Sequence, residues 1–140
     1  MMLRIRRMEQ NMAIYKPLPE CNIQQAMDIL KNGTVEQLMI LPLSVGESEI
    51  EWKVAQDICV TLLSHSDAAI RANAALGLAY VARTKRMLDK RIVKPYLLKE
   101  LRENVEYRWR IVDAITDINT FLAWHLAEKA IQKLENAISL

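Results

Sequence analysis

Two histidines, two cysteines and a pair of aspartates four residues apart are the side chains of this sequence best suited to chemistry. His65 and His125 each lack an obvious carboxylate neighbour in sequence to set up a general base. Cys21 and Cys59 make no CxxC pair, and neither lies beside a histidine, so neither a zinc site nor a disulfide framework is expected. There is no glycine-rich phosphate loop, no HExxH and no nucleophile elbow. Asp113 and Asp117, at helical spacing, share a face and repel each other slightly unless a cation or basic partner sits there. The expectation is a chain that is not an enzyme and uses no metal, cofactor or small-molecule substrate.

Binding is the alternative use of such residues. Tyr80, Trp109 and Trp124 are the large rings expected at the surface, where aromatic and arginine side chains dominate contacts. Trp109 could instead fill a gap between helical units, and Trp52 reads as core. Charge is segregated. Residues 12–69 hold three basic and eight acidic residues, a net −5; residues 70–110 hold eleven against four, a net +7; residues 111–140 return to −2. Net charge speaks to partners rather than to fold. Asp113 and Asp117, extended by Asp57, Glu51, Glu49 and Glu47, form a candidate acidic patch for Lys or Arg of a partner. The run Arg83, Lys85, Arg86, Lys90, Arg91, Lys94 could track a phosphate backbone, but no aromatic residues interleave with it as a single-strand binder would want.

The elements that must position these residues are helices. Only three Gly and four Pro occur in 140 residues, too few for the turns of an all-β chain. No apolar run spans a bilayer or makes a signal peptide, so a cytoplasmic protein is expected. Residues 1–21 look irregular, and the rest reads as one domain. Asn22 caps a helix over 23–31, which a left-handed cap at Asn32-Gly33 ends. Thr34 caps the next, which Pro42 stops, and 44–48 is a loop. A third helix covers 49–64, with Glu47, Glu49 and Glu51 at its N-terminus. Asp67 caps the fourth helix, ended by Arg83, Lys85 and Arg86. Gly77 in its middle costs about 1 kcal/mol relative to Ala and implies a neighbour that comes close. Asp89 caps a fifth helix containing Pro95, expected to kink it. Asn104 begins a sixth, and residues 121–140 continue it or follow a break near Asn119-Thr120.

Two segments match at an offset of 37: Ile70 with Tyr107, Arg71 with Arg108, Ala74 with Ile111, Ala75 with Val112, Gly77 with Ala114, Leu78 with Ile115 and Val81 with Ile118. A period near 40 with two helices per unit is the signature of helical arrays. The Arg after the first apolar residue and the small residue at the seventh place after it resemble the second helix of a HEAT-like repeat. The resemblance covers 49–83 and 89–120, with 23–42 a degenerate first unit and 121–140 a capping helix. It implies an all-α fold, a short HEAT-like superhelix whose second helices line a partner-binding side. On that side stand Asn73, Leu76, Tyr80 and Arg83, and in the next unit Arg110, Asp113, Asp117 and Thr120.

The stretch from Ile70 to Arg83, followed by Leu88-Asp89 and Val93-Lys94-Pro95, is similar to small bacterial immunity proteins of toxin systems, including contact-dependent growth inhibition. That resemblance implies binding and occlusion of a cognate toxin domain, a nuclease among the expected activities. The partner-binding candidates, read from the faces, charges and rings above, are Asp57, Asn73, Tyr80, Trp109, Arg110, Asp113, Asp117 and Trp124. One departure is charge: immunity proteins against basic nucleases are usually acidic, whereas residues 12–140 sum to zero. The rival reading is a nucleic-acid-binding or general adaptor scaffold working through the basic residues of 83–94.

Overall fold

A computed structural model of the protein describes residues 18–138, and the irregular reading of 1–17 lies outside them. The described chain is all-α. Its helices are α1 (Ile23–Asn32), α2 (Val35–Glu47), α3 (Trp52–Leu62), α4 (Ala68–Lys85), α5 (Lys90–Glu103), α6 (Arg108–Leu122) and α7 (Glu128–Ile138). None of these is long and apolar enough to cross a membrane.

The helix starts are written in side chains. Asn22 and Thr34 each accept from the backbone N–H three residues on, and Gln25 and Gln37 return the bond, so α1 and α2 both open with a capping box. Asp67 accepts from Ala69 and Ile70 N–H, and Asp89 from Arg91 N–H. The helix ends depart from the sequence expectation. Gly33 is extended at φ −70°, not left-handed, because the chain turns at once into the Thr34 cap. What needs glycine there is space: a Cβ would lie 2.5 Å from the Ile29 carbonyl oxygen.

Pro42 does not stop α2, which runs on through the stretch expected as a loop to Glu47. A proline inside a helix costs about 3 kcal/mol. Burial offsets it: Leu41 and Val45 are fully enclosed on either side of it, each contributing roughly 1.5–3 kcal/mol. Pro42 is itself held against α4. A Cβ at Gly77 would stand 2.6 Å from the Pro42 carbonyl oxygen and 2.7 Å from its Cβ, and one at Gly46 would stand 2.7 Å from the Tyr80 Cβ. Two glycines thus let α2 and α4 touch backbone to backbone, and Pro42 is the close neighbour that Gly77 implied.

The helices form two layers. α2, α4 and α6 stack side by side in that order; α3 lies against α4 and α2, while α1 and α5 lie against α2 and α6. The two units related by 37 residues share a hydrogen-bond skeleton. Asp67 and Asn104 accept from Ile70 and Tyr107 N–H, both at 3.3 Å. Arg71 donates to the carbonyls of His65 and Ser66 at 2.9 Å, and Arg108 to those of Leu101 and Arg102 at 2.9 and 3.0 Å. Each arginine reaches back from its helix's first turn: Arg108 satisfies carbonyls left over in the last turn of α5, and Arg71 satisfies those of the connection that follows α3.

Several boundaries differ from the sequence reading. α3 is shorter than expected, and Glu47 belongs to the end of α2, not to its start. Asn104 precedes a turn rather than a helix: its side-chain amide is spent on the Ala68 carbonyl and on Glu100, and α6 begins at Arg108. α5 is continuous through Pro95. The break after α6 falls at 123–127, where Ala123, His125 and Ala127 all take φ near +55°. Asn119 ties that turn down by donating to the Leu126 carbonyl and accepting from its N–H. α7 is the last helix of the described residues; Leu126 just before it and Ile131 on its inner side are buried.

Candidate docking face

Because α2, α4 and α6 are buried on the sides that touch one another, each keeps one stripe toward the outside. On α4 it is Asn73, Leu76 and Tyr80, all half-buried, and then exposed Arg83. On α6 it is Arg110, Asp113 and Asp117, half-buried, and then exposed Thr120. On α2 it is Ile40, 42% exposed, half-buried Leu43 and exposed Glu47.

A polar ladder crosses the three helices. Arg110 Nη1 donates to Asn73 Oδ1 at 2.9 Å, and Asn73 Nδ2 donates to the Met39 carbonyl at 2.8 Å. Asn73 and Arg110 are themselves 37 residues apart, so equivalent positions of successive units are bonded to each other. The Arg110 guanidinium also lies 4.9 Å over the Tyr107 ring, and that of Arg83 lies 4.6 Å over Tyr80 while pairing with Glu47 at 2.9 Å. Such contacts fix the long side chains before any partner arrives, which lowers the entropy lost on binding. The end of α2 is held as well. Lys85 donates to the Ser48 carbonyl at 2.7 Å, and burial holds its ammonium below the ordinary lysine range.

The expected binding residues separate by element. Asn73, Tyr80, Arg110, Asp113 and Asp117 stand on the α4 and α6 stripes, and Trp109 sits half-buried beside Arg110 in the first turn of α6. Asp57 lies instead on the outer stripe of α3 with Lys53 and Thr61. Trp124 lies in the α6–α7 turn, where Lys90 Nζ donates to its carbonyl at 3.3 Å and stands 5.7 Å from its ring. All three rings expected outside are half-buried, as is Trp52.

The α2 stripe is hidden in the sequence because a proline at position 42 reads as a helix terminator. The signal was present: Ile40, Leu43 and Glu47 continue the helical spacing across the proline.

Most of the other candidate groups are engaged within the fold. The Cys59 thiol is enclosed between Pro42 and Gly77, and burial pushes its pKa far up, so the thiolate a nucleophile or ligand needs is suppressed. His65 accepts from the Asp67 N–H. His125 does have a carboxylate partner, Glu128 three residues on at 2.9 Å, with both side chains exposed. The basic run divides in two. Arg83 and Lys85 turn back onto the end of α2, whereas Arg86 lies 4.8 Å over Phe121 and Lys90 over Trp124, with Arg91 and Lys94 exposed.

No family model, curated protein or solved structure matches this chain. The face therefore rests on its own geometry.

Proposed function

We propose that this protein works by binding another protein through the face made by α2, α4 and α6, with no chemistry of its own. The observation that carries this reading is the ladder Arg110–Asn73–Met39, which locks the three stacked helices α2, α4 and α6 and sets half-buried Leu43, Leu76 and Tyr80 among charged side chains. Apolar and aromatic groups inside a polar surround are the usual make-up of a docking centre. The equivalence of Asp67 and Arg71 with Asn104 and Arg108 supports reading the array as HEAT-like. The resemblance of residues 70–95 to immunity proteins supports a cognate bacterial toxin domain, met in the cytoplasm, as the partner, with occlusion as the mechanism. Co-expression with the neighbouring toxin domain tests it: a stoichiometric complex that protects cells is expected, weakened at least tenfold by Tyr80→Ala, about the loss of one buried contact. Absence of both complex and protection would end the proposal.

A second reading keeps one observation. Although no aromatic interleaves with the basic turn in sequence, the fold sets Phe121 and Trp124 beside Arg86 and Lys90. Titration with RNA and DNA at two salt concentrations separates the readings: salt-sensitive binding lost on reversing Arg86 and Arg91 would favour nucleic acid.

A further inference from the structure

Two adjoining cavities, of about 410 and 980 Å³, follow residues 19–25 between α1 and α2 and on past the α2–α3 loop. Their volumes fall within the usual range for ligand sites, roughly 300–1,000 Å³, so together they hold a chain segment rather than an ion. Five carboxylates line one or both: Glu20, Asp28, Glu47, Glu49 and Glu51. Among the described residues lining them there is no Lys, Arg or His. Arg83 reaches Glu47 from α4, and Asn32 donates to Asp28; Glu20, Glu49 and Glu51 are exposed.

Ser44 lines both cavities and is only 5% exposed, and its Oγ has no hydrogen-bond partner. A helical serine can satisfy its hydroxyl on the carbonyl four residues back. This one does not, and a buried polar atom without a partner calls for one from outside.

We propose that this groove seats an extended Lys/Arg-rich segment of the protein partner. The carboxylates take the cationic heads, Ser44 turns its enclosed hydroxyl outward to accept one N–H, and the aliphatic stems lie along Ile29 and Ile40. Charge complementarity decides the occupant: Arg83 already pairs with Glu47 and Lys85 with the Ser48 carbonyl, but Glu20, Glu49 and Glu51 face no cation among the described lining residues, and they repel an anionic chain and attract a cationic one. The proposal rests on the protein-binding reading and extends it, since Ile40 belongs both to the groove and to the α2 stripe of the docking face.

The test uses the full chain and a blocked tetra-arginine peptide, followed by fluorescence anisotropy and by amide shifts in NMR. Saturable binding is expected, with the largest shifts at Ser44 and Glu49. The triple variant Glu20→Gln, Glu49→Gln, Glu51→Gln should weaken it about tenfold, as the loss of three exposed pairs allows. Ser44→Ala should weaken it severalfold at an unchanged unfolding midpoint, and Asp57→Asn on the outer stripe of α3 should leave it unchanged. Failure to saturate, equal binding of tetra-glutamate, or an equal loss in Asp57→Asn would overturn the proposal. So would an Arg4→Gln, Arg6→Gln, Arg7→Gln variant whose amide shifts reproduce those of the peptide, because the groove would then belong to the chain's own basic run. The Tyr80→Ala pull-down reads the face alone, so an empty groove leaves the docking face standing.

Discussion

The α3–α4 unit and the α5–α6 unit share one hydrogen-bond skeleton and fill it differently. In α4 the enclosed residues are mostly small: Ala69, Ala72, Ala74, Ala75, Gly77, Ala79 and Ala82. In α6 they are mostly branched: Ile111, Val112, Ile115 and Ile118 around a single Ala114. The cause is the number of neighbours. α4 is pressed closely by α2 on one side and α6 on the other, so its side chains must be thin; α6 makes one such close approach, to α4, and uses bulk to fill the rest of its space. The pair Ile70 and Tyr107 shows the limit of the equivalence. Their amides share a cap position, but Ile70 is sealed in the core while the Tyr107 ring stays half-exposed under Arg110.

The contrast can be broken most sharply at the two arginines. Arg71 also pairs with Glu100, whose side chain is 4% exposed, whereas among the described residues Arg108 bonds carbonyls alone. Urea unfolding should show Arg71→Ala losing about 3 kcal/mol, because a buried carboxylate is left behind, and Arg108→Ala losing about 1 kcal/mol. Equal losses would mean that the skeleton alone matters.

Gly77→Ala comes next. Better helix propensity offers about 1 kcal/mol, but the contact with Pro42 costs more, so a net loss of about 1–2 kcal/mol in thermal or urea unfolding is expected. A gain would show that α2 and α4 can move apart. A double-mutant cycle between Asn73→Ala and Arg110→Ala should give a coupling near 1 kcal/mol, and none if the ladder is not formed in solution. The smallest effect is chemical. In native protein at pH 8, iodoacetamide should spare Cys59, whose burial disfavours the thiolate, and label it only once urea unfolds the chain.

Much of this was legible in the sequence. Asp67, Asp89, Asn22 and Thr34 announced four helix starts because a cap is a local device, made by a side chain and amides two or three residues away. Gly77 announced a close neighbour without naming it. Helix ends were less legible, since they depend on what packs against them: nothing local shows that Pro42 will be held within a helix by α4. The docking face was half visible. Its α4 and α6 stripes followed from the 37-residue offset, but its α2 stripe hid behind the proline. The acidic groove brings residues 20–28 together with residues 47–51, and that meeting is made by the packing of α1 on α2 rather than by any spacing along the chain.

The rungs from Arg110 through Asn73 to the Met39 carbonyl have a mechanical consequence. Three rods joined only by greasy contact could slide along one another, but rods cross-braced at a matching height resist shear. A visitor pressing on one edge of this wall would meet the stiffness of all three, and the load would leave through backbone rather than through loops.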